Sequence, residues 1–124
     1  MSNWQFPNFK PSEFSCKCCG EHGIQLELVA KVQELRTACG FPFKITSGWR
    51  CPEHPAEMRK QEPGTHYQGV ACDIAIAGED AYKVVKEAMA LGFTGIGIAQ
   101  KGDWSSRFIH VDVAKNNRPR IWSY

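Results

Sequence analysis

Val70-Ala71-Cys72-Asp73-Ile74-Ala75-Ile76 alternates without a break between large apolar side chains and small or polar ones. A period of two marks a β-strand, so Val70, Cys72, Ile74 and Ile76 share one face while Ala71, Asp73 and Ala75 share the other. The first face suits a hydrophobic core. The second is small and carries one carboxylate, which leaves room beside Asp73 for something larger than a side chain.

Phe108-Ile109-His110-Val111-Asp112-Val113 repeats the pattern, sending Ile109, Val111 and Val113 inward and placing His110 and Asp112 together on the opposite side. Between these strands, residues 80–91 set Ala81, Val84, Val85, Ala88 and Met89 at helical intervals, with Glu79 and Asp80 at the start and Gly92 at the end. Ile96-Gly97-Ile98-Ala99 reads as a further strand, separated from residues 108–113 by a polar turn over residues 100–106. Upstream, Leu28, Val32, Leu35 and Cys39 recur at helical spacing and Gly40 follows as a left-handed cap, predicting a helix over residues 26–39. Phe43-Lys44-Ile45-Thr46-Ser47 alternates as a short strand, and residues 48–64 show no clean period and read as a long loop. The expected fold is α+β. A small antiparallel sheet carries helices on one face and leaves the other for a site, within one domain spanning residues 1–124.

Charge and composition narrow the function. The net charge of +2 arises from 15 basic and 13 acidic residues spread along the chain, with no basic block to follow a phosphate backbone, so nucleic acid is not an expected partner. No apolar run is long enough to span a bilayer, and the first residues lack a basic and an apolar signal region. The expectation is a monomer made in the cytoplasm without a signal peptide and without membrane insertion. A chain of this length can bury a sufficient core without bridges or a structural metal, so the six cysteines read as mostly reduced thiols and a metal as functional. Cys16-Lys17-Cys18-Cys19 nevertheless clusters enough sulfur for Cys16, Cys18 and Cys19 to contribute to a second zinc site; small buried side chains are the alternative. Cys72 falls on the apolar face of its strand, where a thiolate nucleophile is disfavoured. Gly95, Gly97 and Gly102 are not followed by a helix that could receive a phosphate, which removes a nucleotide site.

The chemistry gathers on the open faces of the two strands. His66 lies in Gly64-Thr65-His66-Tyr67-Gln68-Gly69, where a turn through Gly69 can fold its ring back toward Asp73. Two imidazoles and a carboxylate, His66, His110 and Asp73, form a donor set for Zn2+ with one position left open to water, the arrangement of a catalytic centre. Asp112 reads either as a carboxylate for that chemistry or as a salt-bridge partner of Arg107 or Lys115.

Three segments carry a family resemblance: Ile45-Thr46-Ser47-Gly48-Trp49-Arg50, Thr65-His66-Tyr67-Gln68-Gly69-Val70-Ala71-Cys72-Asp73 and Phe108-Ile109-His110-Val111-Asp112. In order, they resemble the zinc D-Ala-D-Ala carboxypeptidases and related phage endolysin peptidases, which share a hedgehog-like zinc peptidase fold. Phe9-Lys10-Pro11-Ser12-Glu13-Phe14-Ser15-Cys16 adds a likeness to the N-terminal part of one branch. The resemblance implies His66, Asp73 and His110 as zinc ligands. It also implies Arg50, with Ser47 beside it, as the anchor for a peptidoglycan stem peptide or cross-link containing a D-amino acid, reached after release to the cell wall. A guanidinium suits a peptide carboxylate or carbonyl. Relatives place a Glu three residues before the last ligand, or a His two before it; those positions are Arg107 and Phe108 in this chain. The expected proton acceptor is therefore Asp112, about 7 Å along the strand from His110, with Asp103 second. A zinc-retaining module that binds peptidoglycan or protein without turnover is the alternative reading.

Overall fold

A computed structural model describes residues 5–20, 23–51 and 65–124. The strands expected from alternation form as β1 (Lys44–Ser47), β2 (Ala71–Ala75), β3 (Gly95–Ala99) and β4 (Phe108–Asp112), joined by β5 (Arg120–Ser123). They make a five-stranded sheet in the order β1-β2-β4-β3-β5. β1 with β2, β2 with β4 and β3 with β4 run antiparallel, whereas β5 lies parallel to β3. The sheet is thus mostly, not wholly, antiparallel. β5 escapes a reading by alternation because it is an edge strand whose Ile121 is exposed and whose Trp122 turns to the site face, so no apolar row points at the core.

Helix α1 (Leu26–Cys39) ends at Gly40, whose φ of 79° is the left-handed cap expected from the sequence. Its Leu28, Val32 and Leu35 join Ala81, Val84 and Ala88 of helix α3 (Gly78–Ala90) and the inward side chains Cys72, Ile74, Ile96, Ile109 and Val111 in one core. Both long helices therefore cover one face of the sheet, as the α+β expectation requires. Met89, expected on the buried stripe of α3, is exposed; the stripe narrows to Ala81, Val84 and Ala88 because small residues let the helix sit close to the strands.

Two short elements escape the periodicity argument because neither is long enough to show one. Pro11–Phe14 forms a 3-10 turn that buries Phe14, and Thr65–Gln68 forms a single turn of helix, α2. Of the long loop expected over 48–64, residues 52–64 lie outside the described residues.

Candidate metal centre

One cross-strand row builds the site. Ser47 pairs with Asp73, Asp73 with His110, His110 with Gly97, and Gly97 with Trp122, so the row crosses all five strands. Because side chains alternate along each strand, this row faces away from the core that Ile74, Ile109 and Ile96 fill from neighbouring rows. Gly97 leaves space in the row: a Cβ there would stand 2.7 Å from the Trp122 indole nitrogen. Trp122 accordingly lies against His110, with ring centroids 5.0 Å apart.

The third ligand candidate arrives from α2. The turn expected after it passes through Gly69 at a φ of 78°, a left-handed conformation open to glycine, and His66 is buried above the row. Its Nε2 lies 3.3 Å from Asp73 Oδ1, while His110 Nδ1 lies 3.2 Å from the same oxygen. One ligand atom from each of His66, Asp73 and His110 falls within 4.8 Å of the others. The structure thus brings together the three residues that the sequence singles out.

The outer partners of the two rings decide which nitrogen is offered. His66 Nδ1–H donates to the Gly48 carbonyl at 2.8 Å, which leaves Nε2 for the cluster. His110 Nε2–H donates to Asp112 Oδ2 at 2.7 Å, which leaves Nδ1 for the cluster. Burial pushes the Asp73 carboxyl up, but the hydrogen bonds from His110 and His66 outweigh it and hold the pKa below the usual carboxylate range. Burial likewise works against a charged His110, yet Asp112 and Asp73 together raise its pKa. With the ring protons that Asp73 accepts displaced, His66 Nε2 and His110 Nδ1 would present two lone pairs beside one carboxylate oxygen, a donor set that fits a divalent transition ion.

Asp112 shares the His110 face as expected but lies behind the ring rather than beside the cluster. It is fully buried, and its oxygens accept from Arg118 Nε at 3.1 Å, Arg118 Nη2 at 2.8 Å and the Ala114 N–H at 3.2 Å, as well as from His110. These bonds outweigh burial and hold its pKa down to about 2. Its salt-bridge partner is Arg118, in place of Arg107 or Lys115. Arg107 instead donates to the Gly102 carbonyl and lies over Trp104, because the tight turn after β3 brings that carbonyl to it. Asp103 stands exposed in the same turn, where its backbone carbonyl accepts from Ser106, and it is outside the ligand group formed by the described residues.

Arg50 places Nη2 3.6 Å from Asp73 Oδ2, and its Nε donates to Ser47 Oγ at 3.1 Å. Ser47 thereby aims the guanidinium along the edge of the cluster. On the opposite side Trp122, Phe108 and Tyr124 form an aromatic flank, the last two with centroids 5.1 Å apart. Sequence reasoning missed Arg118, Trp122 and the Gly48 carbonyl. Only Trp122 carried a usable signal, as a large aromatic beside Ile121 in a short stretch that follows Pro119.

No curated protein matches the sequence. The model of the family described as peptidase M15 matches residues 7–112, a span that holds His66, Asp73, His110, Arg50 and Asp112. The chain therefore belongs to the peptidase M15 family of metallopeptidases.

Proposed function

We propose that this chain is a zinc peptidase that hydrolyses D-amino-acid-containing peptides of bacterial peptidoglycan, as a phage endolysin does, acting at the cell wall after release from the cytoplasm. The observation that carries this reading is the convergence of His66 Nε2, Asp73 Oδ1 and His110 Nδ1, with both rings locked by outer partners. Zinc bound there would polarise a scissile carbonyl and acidify water. The protein's own groups do the rest. Arg50, steadied by Ser47, offers a planar guanidinium to the carboxylate or carbonyl of the stem peptide, and Trp122 with Tyr124 walls the opposite side. Asp112 keeps His110 in the ligating tautomer, a positioning role in place of the proton acceptor expected from the sequence.

The commitment of Asp112 to four donors favours a second reading, in which the module holds zinc and binds peptidoglycan without cutting it. Incubating purified peptidoglycan with zinc-loaded protein, chelated protein and His110→Ala protein separates the two. New amine groups released only by the zinc-loaded parent support the peptidase. Sedimentation with the wall and no release supports the binding module, and release that survives verified metal removal overturns both.

A further inference from the structure

Far from the His and Asp ligands in sequence, three sulfurs converge. Cys16, Cys19 and Cys51 bring their Sγ atoms within 4.8 Å of one another, although Cys51 lies 35 residues beyond Cys16. Zinc–thiolate bonds of about 2.3 Å in a tetrahedron separate sulfurs by about 3.8 Å, so closing this group on an ion needs side-chain shifts of about an ångström or less. The grouping differs from the one expected from sequence. Cys51 takes the place of Cys18, whose backbone N–H instead points at Cys16 Sγ.

The surroundings of Cys16 favour the ligating form of sulfur. Its Sγ accepts the backbone N–H groups of Cys18 at 3.4 Å and Cys51 at 3.3 Å, donors that stabilise a thiolate. Cys39 and Cys72 show the contrast: both are packed into the hydrophobic core, as side chains that only fill space would be. All six cysteines lie among the described residues and are thiols.

We propose that Cys16, Cys19 and Cys51 form a second metal site, a thiolate site for zinc that clamps residues 16–19 onto the segment carrying Arg50. Three sulfurs supply three of the four ligands that zinc usually takes, and their softness separates this site from the nitrogen and oxygen set at His66, Asp73 and His110. The clamp falls where the chain is already closely joined. The Trp49 N–H donates to the Phe14 carbonyl at 2.9 Å, and Gly48 approaches the Phe14 backbone so closely that a Cβ at 48 would stand 2.6 Å from its Cα. Since the Gly48 carbonyl fixes His66, the thiolate site braces the wall against which the first metal centre is built.

Zinc per chain, measured by native mass spectrometry on reduced protein purified without chelator, tests the proposal together with cobalt(II) substitution. The expected result is two zinc equivalents and a near-ultraviolet thiolate-to-cobalt absorption. Cys19→Ser, at an exposed position that leaves the core intact, loses one equivalent and weakens that absorption; Cys51→Ser does the same. His110→Ala also loses one equivalent but keeps the absorption. A single equivalent that Cys19→Ser leaves unchanged overturns the site, as does cobalt-loaded parent protein without the thiolate absorption. Finding only four titratable thiols in denatured, unreduced protein overturns it too, in favour of a disulfide within the cluster.

Discussion

Asp112 Oδ2 accepts the Nε2–H of His110 at 2.7 Å, on the ring edge opposite the Nδ1 that faces Asp73. A carboxylate in that place fixes tautomer and orientation and raises the basicity of the ligating nitrogen. Asp112→Asn should therefore weaken zinc binding about 10- to 100-fold while leaving kcat at saturating zinc largely intact. Competition against a calibrated chelator, followed by kinetics with excess zinc, reads both quantities. Normal zinc affinity with kcat reduced about 100-fold or more would return Asp112 to the role of proton acceptor.

Arg118 covers the buried Asp112 carboxylate with two hydrogen bonds, from Nε and from Nη2. Removing one partner of a buried charge pair costs about 3–5 kcal/mol, and with His110 and the Ala114 N–H still donating to Asp112 the lower end, about 3 kcal/mol, applies. Arg118→Met should lower the stability of metal-free protein by that amount in urea unfolding. A loss below about 1 kcal/mol would mean that water replaces the guanidinium.

Acid should weaken the metal-free fold through the same carboxylate. The folded pKa of Asp112, about 2, lies below the ordinary value of 3.8, so its contribution is fully present above the unfolded value and is lost as the pH falls through the folded one. The difference amounts to about 2 kcal/mol. Between about pH 5 and about pH 2.5, the parent should lose more stability than Asp112→Asn, which has no carboxyl to protonate at that position. Parallel losses in the two proteins would remove Asp112 from the account.

Arg50 offers a guanidinium held by Ser47 Oγ at 3.1 Å, and a lysine cannot reproduce its planar pair of donors. Arg50→Lys should lower kcat/KM on a peptidoglycan stem peptide about 10- to 100-fold, the equivalent of losing a charge-assisted hydrogen bond of about 1.5–3 kcal/mol. Zinc content should stay at the parent's value. If kcat/KM holds on peptides with a free carboxylate, that carboxylate binds elsewhere.

Local pattern carried much of this protein. Strand alternation over residues 70–76 and 108–113 separated Ile74, Ile109 and Val111 from Asp73 and His110, and α1 ended at Gly40 as its spacing required. Periodicity succeeds there because burial on one face imposes a repeat that a short window can show. His66 needed more than periodicity, since its helix is a single turn; the spacing to Asp73 across Gly69 and the family resemblance supplied it.

By itself the sequence determined which residue types lie on which face, and hence the α+β class and the ligand candidates Asp73 and His110. Tertiary structure alone decided what stands next to each of them. Asp112 and His110 share a face, but alternation says nothing about which ring edge the carboxylate takes. That depends on Arg118 returning from the segment after β4 to bind it. Cys51 joins Cys16 and Cys19, and Trp122 reaches His110, for the same reason. Contacts between distant segments are set by strand order and close packing, which leave no periodic trace in the chain.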